Sequence, residues 1–158
     1  AEVVGKVRAS VKKPIILKLT PNVADIAEVA KVGVKAGADA ITAINTLRAM
    51  TIDVETAQPI LGNKVGGLSG PAIKPVAVRC VYEIYEAVDV PIIGCGGINT
   101  WQDAVEFMLA GASAVQIGTA IAWKGLGVFK SVTRGMDSYI RRKSFRSVKD
   151  IVGLSHRN

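Results

Sequence analysis

The sequence is poor in residues that do chemistry unaided. Its 158 residues include one histidine, two cysteines and 5% aromatics. Cys80 and Cys95 have neither a CxxC pattern nor metal-ligand spacing, which fits reduced cysteines in a cytoplasmic chain better than a disulfide framework. No Ser-His-Asp set and no metal-ligand cluster can be assembled, and His156, alone in the tail, is expected to face solvent. No apolar run approaches the roughly 20 residues of a membrane helix, and no secretory signal opens the chain, so it reads as soluble. The chain also has no initial Met. Ala1 stands inside a helical pattern, AEVVGKVRASVK, and the chain reads as truncated or excised. The net charge is +7. Arg134, Arg141, Arg142, Lys143, Arg146, Lys149 and Arg157 crowd the last quarter, but no stacking aromatics interleave them. A solvated helix face or a contact with another chain explains them better than nucleic acid.

What is abundant is aliphatic. Hydrophobic residues make up 49%, with Ala, Val, Ile and Gly prominent, a balance suited to buried parallel strands under helices. The organising stretch is VPIIGCGGINTWQDAVEFMLAGASAVQIGT, Val90 to Thr119. Two short apolar runs, each ending in glycine, flank a helical pattern: strand, glycine turn, helix, strand, glycine turn. That is the grammar of a βαβ unit, whose ligand site lies beyond the carboxyl ends of its strands. Gly96, Gly97 and Gly118 allow backbone N–H groups to approach an anion closely.

Earlier in the chain, residues 14–19 read as a buried strand. Asn22 is the expected N-cap of a helix with Ile26, Val29, Ala30, Gly33 and Val34 on its apolar stripe and Gly37 at its end. Ala40–Ile44 reads as a second strand. Residues 47–70 form an irregular functional loop with a short hairpin, ending in GGLSG. A helix is expected from about Ile73 to Ala87, with Pro71 and Pro75 near its first turn. Thr100 and Asp103 look like a capping box opening the next helix. Strand 114–118 follows, then a long helix with Phe129, Val132, Met136 and Ile140 on one face, and a short turn at Val148–Val152. AGADAIT and AGASAVQ echo one helix-to-strand junction. Four β/α units are visible, too few to close a barrel. The expected fold is therefore part of a (β/α)8 barrel, its other half missing or supplied by a second chain.

Lys18 stands among aliphatic residues in PIILKL. It either snorkels to solvent or sets its ammonium at the strand's carboxyl end, facing an anion or an electron-rich ring. Asn45 ends the second strand with an amide that suits a ligand with adjacent C=O and N–H edges, such as a pyrimidine, or acts as a turn residue. Cys80 and Cys95 are expected to be packing residues.

In order, KLTPN, INTL, GGLSGPAIKP, GCGGI and IGTA resemble the dihydroorotate dehydrogenases along nearly the whole chain, most nearly the NAD-linked class 1B catalytic subunit. The resemblance implies a (β/α)8 TIM barrel, of which this chain supplies strands five to eight. It implies FMN across the barrel top and oxidation of dihydroorotate to orotate in pyrimidine biosynthesis, with loss of a C5 proton and hydride transfer to the flavin. It places Lys18 against the flavin ring as a catalytic residue, Ile44 packed on the flavin, and Asn45 and Thr46 on orotate. Gly70, Gly96, Gly97, Gly118 and Thr119 would hold the ribityl phosphate. No residue here matches the family's catalytic cysteine, whose loop would precede Ala1, so the fragment alone is expected to be inactive. A partner subunit carrying FAD and an iron–sulfur cluster is implied, as is a homo- or hetero-oligomer. Another FMN barrel, such as a dihydropyrimidine dehydrogenase domain, or a non-catalytic phosphate-binding half-barrel are the alternatives.

Overall fold

Residues 1–157 are described by a computed structural model. In chain order, the elements begin with α1 (Glu2–Ser10), β1 (Ile16–Leu19), α2 (Ile26–Lys35) and β2 (Ala40–Ala43). Two antiparallel pairs follow, β3 (Leu47–Ala49) with β6 (Gly66–Leu68) and β4 (Ile52–Asp53) with β5 (Gln58–Pro59). A 3-10 turn at Pro71–Ile73 leads into α3 (Lys74–Ala87). Then come β7 (Ile92–Cys95), α4 (Trp101–Leu109), β8 (Ala114–Gln116), α5 (Ala120–Lys124) and α6 (Gly127–Arg142), and two 3-10 turns close the chain. β1, β2, β7 and β8 form one parallel sheet of four strands in that order, as expected of part of a (β/α) barrel. None of the helices is long and apolar enough to cross a membrane, among the described residues.

Alternation divides the sheet into two faces. Leu17, Ile41 and Ile92 are in register on the face covered by α2, α3 and α4. A Cβ on Gly94 would run into the Phe107 ring, so α4 sits directly on β7. Lys18, Thr42, Ile93 and Ala114 form the register row on the opposite face. That face is the open one: Ile16, two residues before Lys18, is 54% exposed.

The repeated AGA junction has a structural cause. After α2, Gly37 N–H donates to Val34 C=O and Ala38 N–H to Gly33 C=O; after α4, Gly111 and Ala112 donate in the same way to Met108 and Phe107. Both are Schellman closures, and both glycines have positive φ, 109° and 116°. The next residues, Asp39 and Ser113, then donate N–H to Ile15 and Ile92 C=O, launching the following strand in register.

Several expectations are corrected. The N-cap of α2 is Asp25, which accepts from Glu28 N–H, because the Asn22 side chain is bonded elsewhere. Val29 is 40% exposed, leaving a narrower stripe of Ile26, Ala30 and Gly33. Phe129 also faces outward, and Val128 takes its place above Val132, Met136 and Ile140 at four-residue spacing. The loop 47–70 holds two ribbons rather than one hairpin. His156 is not a solvent-facing tail residue. Its ring stacks on Tyr82 with centroids 3.7 Å apart and its Nε2 bonds Ala110 C=O. With Gly153 N–H on Met108 C=O and Ser155 Oγ–H on Leu109 C=O, the tail satisfies the last carbonyls of α4. The basic residues of α6 lie on its exposed side, where Arg141 pairs with Asp137 and the Arg142 guanidinium lies over Trp101 and Tyr139.

One ionic strut ties the start of α3 to the start of α4. Lys74 Nζ lies 2.8 Å from Asp103 Oδ1 and 2.7 Å from Glu106 Oε2. The other Asp103 oxygen accepts from Asn99 N–H, Thr100 N–H and Thr100 Oγ1–H, while Thr100 Oγ1 accepts from Asp103 N–H, completing the capping box. Burial works against the charged Asp103, but the Lys74 ammonium and the Asn99 and Thr100 donors prevail and hold its carboxyl below the usual range. The Asp103 and Glu106 carboxylates in turn push the Lys74 ammonium up. Because the folded Asp103 pKa is lower than the unfolded one, its contribution to stability is present above about pH 4 and lost as pH falls through the depressed value. Asp103→Asn should therefore cost about 2 kcal/mol near neutral pH. In denaturant titrations across pH, the gap between variant and wild type should narrow as pH falls below about 4, whereas a gap constant with pH would refute the strut.

Candidate functional site

A cleft of about 180 Å3 opens at the carboxyl ends of the parallel strands. All nine residues singled out from sequence line it: Lys18, Ile44, Asn45, Thr46, Gly70, Gly96, Gly97, Gly118 and Thr119. Its volume is below the ~300–1,000 Å3 of complete cofactor sites, so these residues enclose part of a ligand of that size.

The floor follows from strand alternation. Lys18 projects from β1 on the open face, and among the described residues its ammonium has no carboxylate partner within ion-pair distance. Ile44 is 2% exposed and follows a cis peptide bond after Ala43. Its N–H donates to Cys95 C=O. Asn45 N–H donates to Leu19 C=O, which joins the end of β1 to the end of β2. Asn45 Oδ1 accepts from Thr46 N–H at 2.8 Å, while its Nδ2 has no partner among the described residues. The amide therefore presents chiefly its donor edge, which narrows the sequence expectation of a group equally free to accept.

The glycine turns form the wall. Gly70, Gly96 and Gly97 have φ of 87°, 138° and 77°, conformations closed to most side chains. A Cβ on Gly97 would lie 2.8 Å from Gly70 C=O and 2.9 Å from Lys74 Cβ. Glycine at 97 is thus required for one turn to pack against the other, not only for approach to a ligand. Gly118 differs: a Cβ there would meet nothing within 4 Å, so the space beside this lining residue is open. The N–H groups of Gly97, Gly118 and Thr119 lie outside the strands and have no acceptor among the described residues. Unpaired backbone donors lining one cleft are the chemistry of an anion site. The Lys74 ammonium is not in the lining; its two carboxylates hold it outside the cleft.

Sequence reasoning gave no site role to several residues in or beside the cleft, Cys95 among them, which was expected only to pack. Gln116 is in register with Cys95 on the open face. A polar side chain in the otherwise apolar run ASAVQIG was the available signal. Cys95 lines the cleft half-buried, whereas Cys80 lies in the core, where burial pushes its thiol up. Ser69 Oγ accepts from Thr119 Oγ1–H and bridges the first and last turns. Trp123 stands beside Gly70, where a Cβ would lie 3.1 Å from the indole. Gly67, in the GGLSG run, makes room for Thr46, whose Cβ would be 2.8 Å from a Cβ on that glycine.

Comparison with known proteins agrees with this arrangement. The dihydroorotate dehydrogenase family model matches residues 1–140. The chain is similar to proteins named dihydroorotate dehydrogenase B (NAD(+)), catalytic subunit. It is 54% identical to that of Thermococcus kodakarensis over 153 residues, 97% of this chain and 51% of the relative. It is 55% identical to that of Methanothermobacter thermautotrophicus over 155 residues, 98% and 51% of the two chains. The Methanocella arvoryzae protein is 54% identical over 151 residues, 96% and 50%. The chain spans about half the length of the curated relatives it matches. The parallel half-sheet, the cleft at its carboxyl rim and these matches together place the chain in the dihydroorotate dehydrogenase family.

Proposed function

We propose that this chain is the carboxyl-terminal half of an FMN-dependent dihydroorotate dehydrogenase barrel, acting in pyrimidine biosynthesis in the cytoplasm. One observation carries the reading: the unpaired lysine, the donor-presenting asparagine and the glycine turns with free N–H groups share one cleft. The donor set fits FMN. Gly97, Gly118 and Thr119 offer backbone N–H groups to a phosphate, with Gly70 and Gly96 shaping the turns. Ile44 lines the same cleft as an aliphatic contact beneath a ring system, itself almost fully buried. FMN, when bound, supplies the electron sink for substrate oxidation.

The remaining work falls to side chains. Lys18 sets a positive charge on the cleft floor, where it favours negative charge developing on a reacting ring system. Asn45 Nδ2 and the Thr46 hydroxyl hold the dihydropyrimidine ring in plane and so fix which carbon faces the cofactor. Among the described residues of this half none is assigned as the general base: Cys95 lines the cleft half-buried beside the glycine turn, and Cys80 is in the core. The base and the opposite wall come from the other half of the barrel. The isolated half is accordingly inactive, and a partner subunit bearing FAD and an iron–sulfur cluster passes electrons onward.

Gly118→Val tests the phosphate wall without disturbing the fold, because its Cβ enters open space. In the full-length enzyme, FMN affinity read by flavin fluorescence should fall by about tenfold or more while the thermal midpoint of the apoprotein stays put. Undiminished FMN affinity would remove Gly118 from the site. Lys18→Ala should slow flavin reduction by dihydroorotate about a hundredfold in single-turnover absorbance measurements, with orotate affinity changed far less. Equal losses in both would make Lys18 a binding group only.

A further inference from the structure

Asn22 lies outside the core, yet its amide makes three hydrogen bonds. Nδ2–H donates to Thr20 Oγ1 and to Thr46 C=O, both at 2.9 Å, and Oδ1 accepts from Arg48 N–H at 2.9 Å. The Asn22 backbone N–H also donates to Thr20 Oγ1, at 3.3 Å. Thr46 C=O and Arg48 N–H flank Leu47, and they are the groups that a neighbouring parallel strand would engage. Leu47 is paired on its other edge with Leu68 of β6. The Asn22 side chain therefore acts as a one-residue strand on the free edge of β3. It joins the loop after β1, the strand of Lys18, to the segment that carries Asn45 and Thr46.

We infer that Asn22 is a positioning residue for the substrate ring, one that sets the orientation of Asn45 and Thr46 and anchors the root of the 47–68 ribbon beside them. This rests on the reading of Asn45 and Thr46 as ring-binding groups. The chemistry is specific to a carboxamide. Thr46 C=O requires a donor and Arg48 N–H an acceptor, separated by the width of one amide. An aspartate retains the acceptor but sets a carboxylate oxygen against Thr46 C=O, which should swing the turn away while leaving the sheet intact. Asn45 has a second tie, through its own N–H to Leu19 C=O, so the turn should shift rather than unfold.

The test uses the full-length, FMN-loaded enzyme and reads three quantities: FMN per chain, orotate affinity from the flavin absorbance change, and the rate of flavin reduction by dihydroorotate. Asn22→Asp should keep FMN loading and thermal midpoint at wild-type levels while weakening orotate binding about tenfold and slowing reduction by a similar factor. Thr20→Val, which removes one of the three bonds of the Asn22 amide without altering the amide, should show the same pattern at about threefold. It decides the matter if Asn22→Asp fails to fold. Orotate affinity and reduction rate unchanged in a fully loaded variant would overturn the inference. So would lost loading or stability with unchanged affinity in the loaded fraction, which would make Asn22 merely structural. Wild-type enzyme that takes up neither FMN nor orotate would instead sink the functional reading, and the inference with it.

Discussion

Parallel register is the constraint on which everything else depends. Because β1, β2, β7 and β8 run the same way, their carboxyl ends reach one rim, and each connection must reverse the chain there before a helix can return it. Reversal in little space demands positive φ, hence glycines at 70, 96 and 97. A reversal outside a ladder also leaves N–H groups without acceptors. The anion-binding potential of the cleft is thus a by-product of strand direction, concentrated where neighbouring turns touch. Gly97 illustrates the economy: the absence of a Cβ both admits the turn's conformation and lets it close onto Gly70.

Loops made of glycine and polar residues need external fixing, because each ordered residue costs about 1–2 kcal/mol of backbone entropy. Here the fixing is done by side chains that bond within a turn and between neighbouring units. Asp103 gathers three donors from the Asn99–Thr100 turn while held by Lys74. Asn22 bridges from β1 to the turn beyond β2. Ser69 and Thr119 join hydroxyls across the cleft mouth. The Lys74, Asn22 and Ser69–Thr119 links each cross from one β/α unit to another, so the cleft wall is held by the sheet as a whole rather than by any single loop. The two Schellman closures do the same at the opposite end, delivering each chain into its strand at a fixed register.

Much of this was legible in the sequence where local chemistry determines structure. Gly37 and the Thr100–Asp103 capping box act within a few residues, and the structure has them as the sequence reads. The shared cleft was legible because strand ends followed by glycine have few alternative uses. What escaped was tertiary. Asn22 resembled an N-cap because a capping asparagine and a bridging asparagine look alike until the partner strand is known, and Asp25 was the cap. Phe129 suited the helix period, yet the choice between it and Val128 depends on which side α4 approaches. α5 has five residues between glycine-bounded turns, too few to show a period. His156 appeared idle because its partners, Tyr82 and Ala110, are far away in sequence. The ribbons of 47–68 use strands of two or three residues, too short for alternation to register.

The central claim is that backbone N–H groups of the glycine turns bind the cofactor's phosphate. The most direct measurement is a titration of isotope-labelled full-length apoprotein with FMN, followed by amide NMR. The account predicts that the Gly97, Gly118 and Thr119 amides move strongly downfield and saturate together with flavin fluorescence. Saturable FMN binding that leaves those three amides in place, with the shifts falling on other segments, would contradict it.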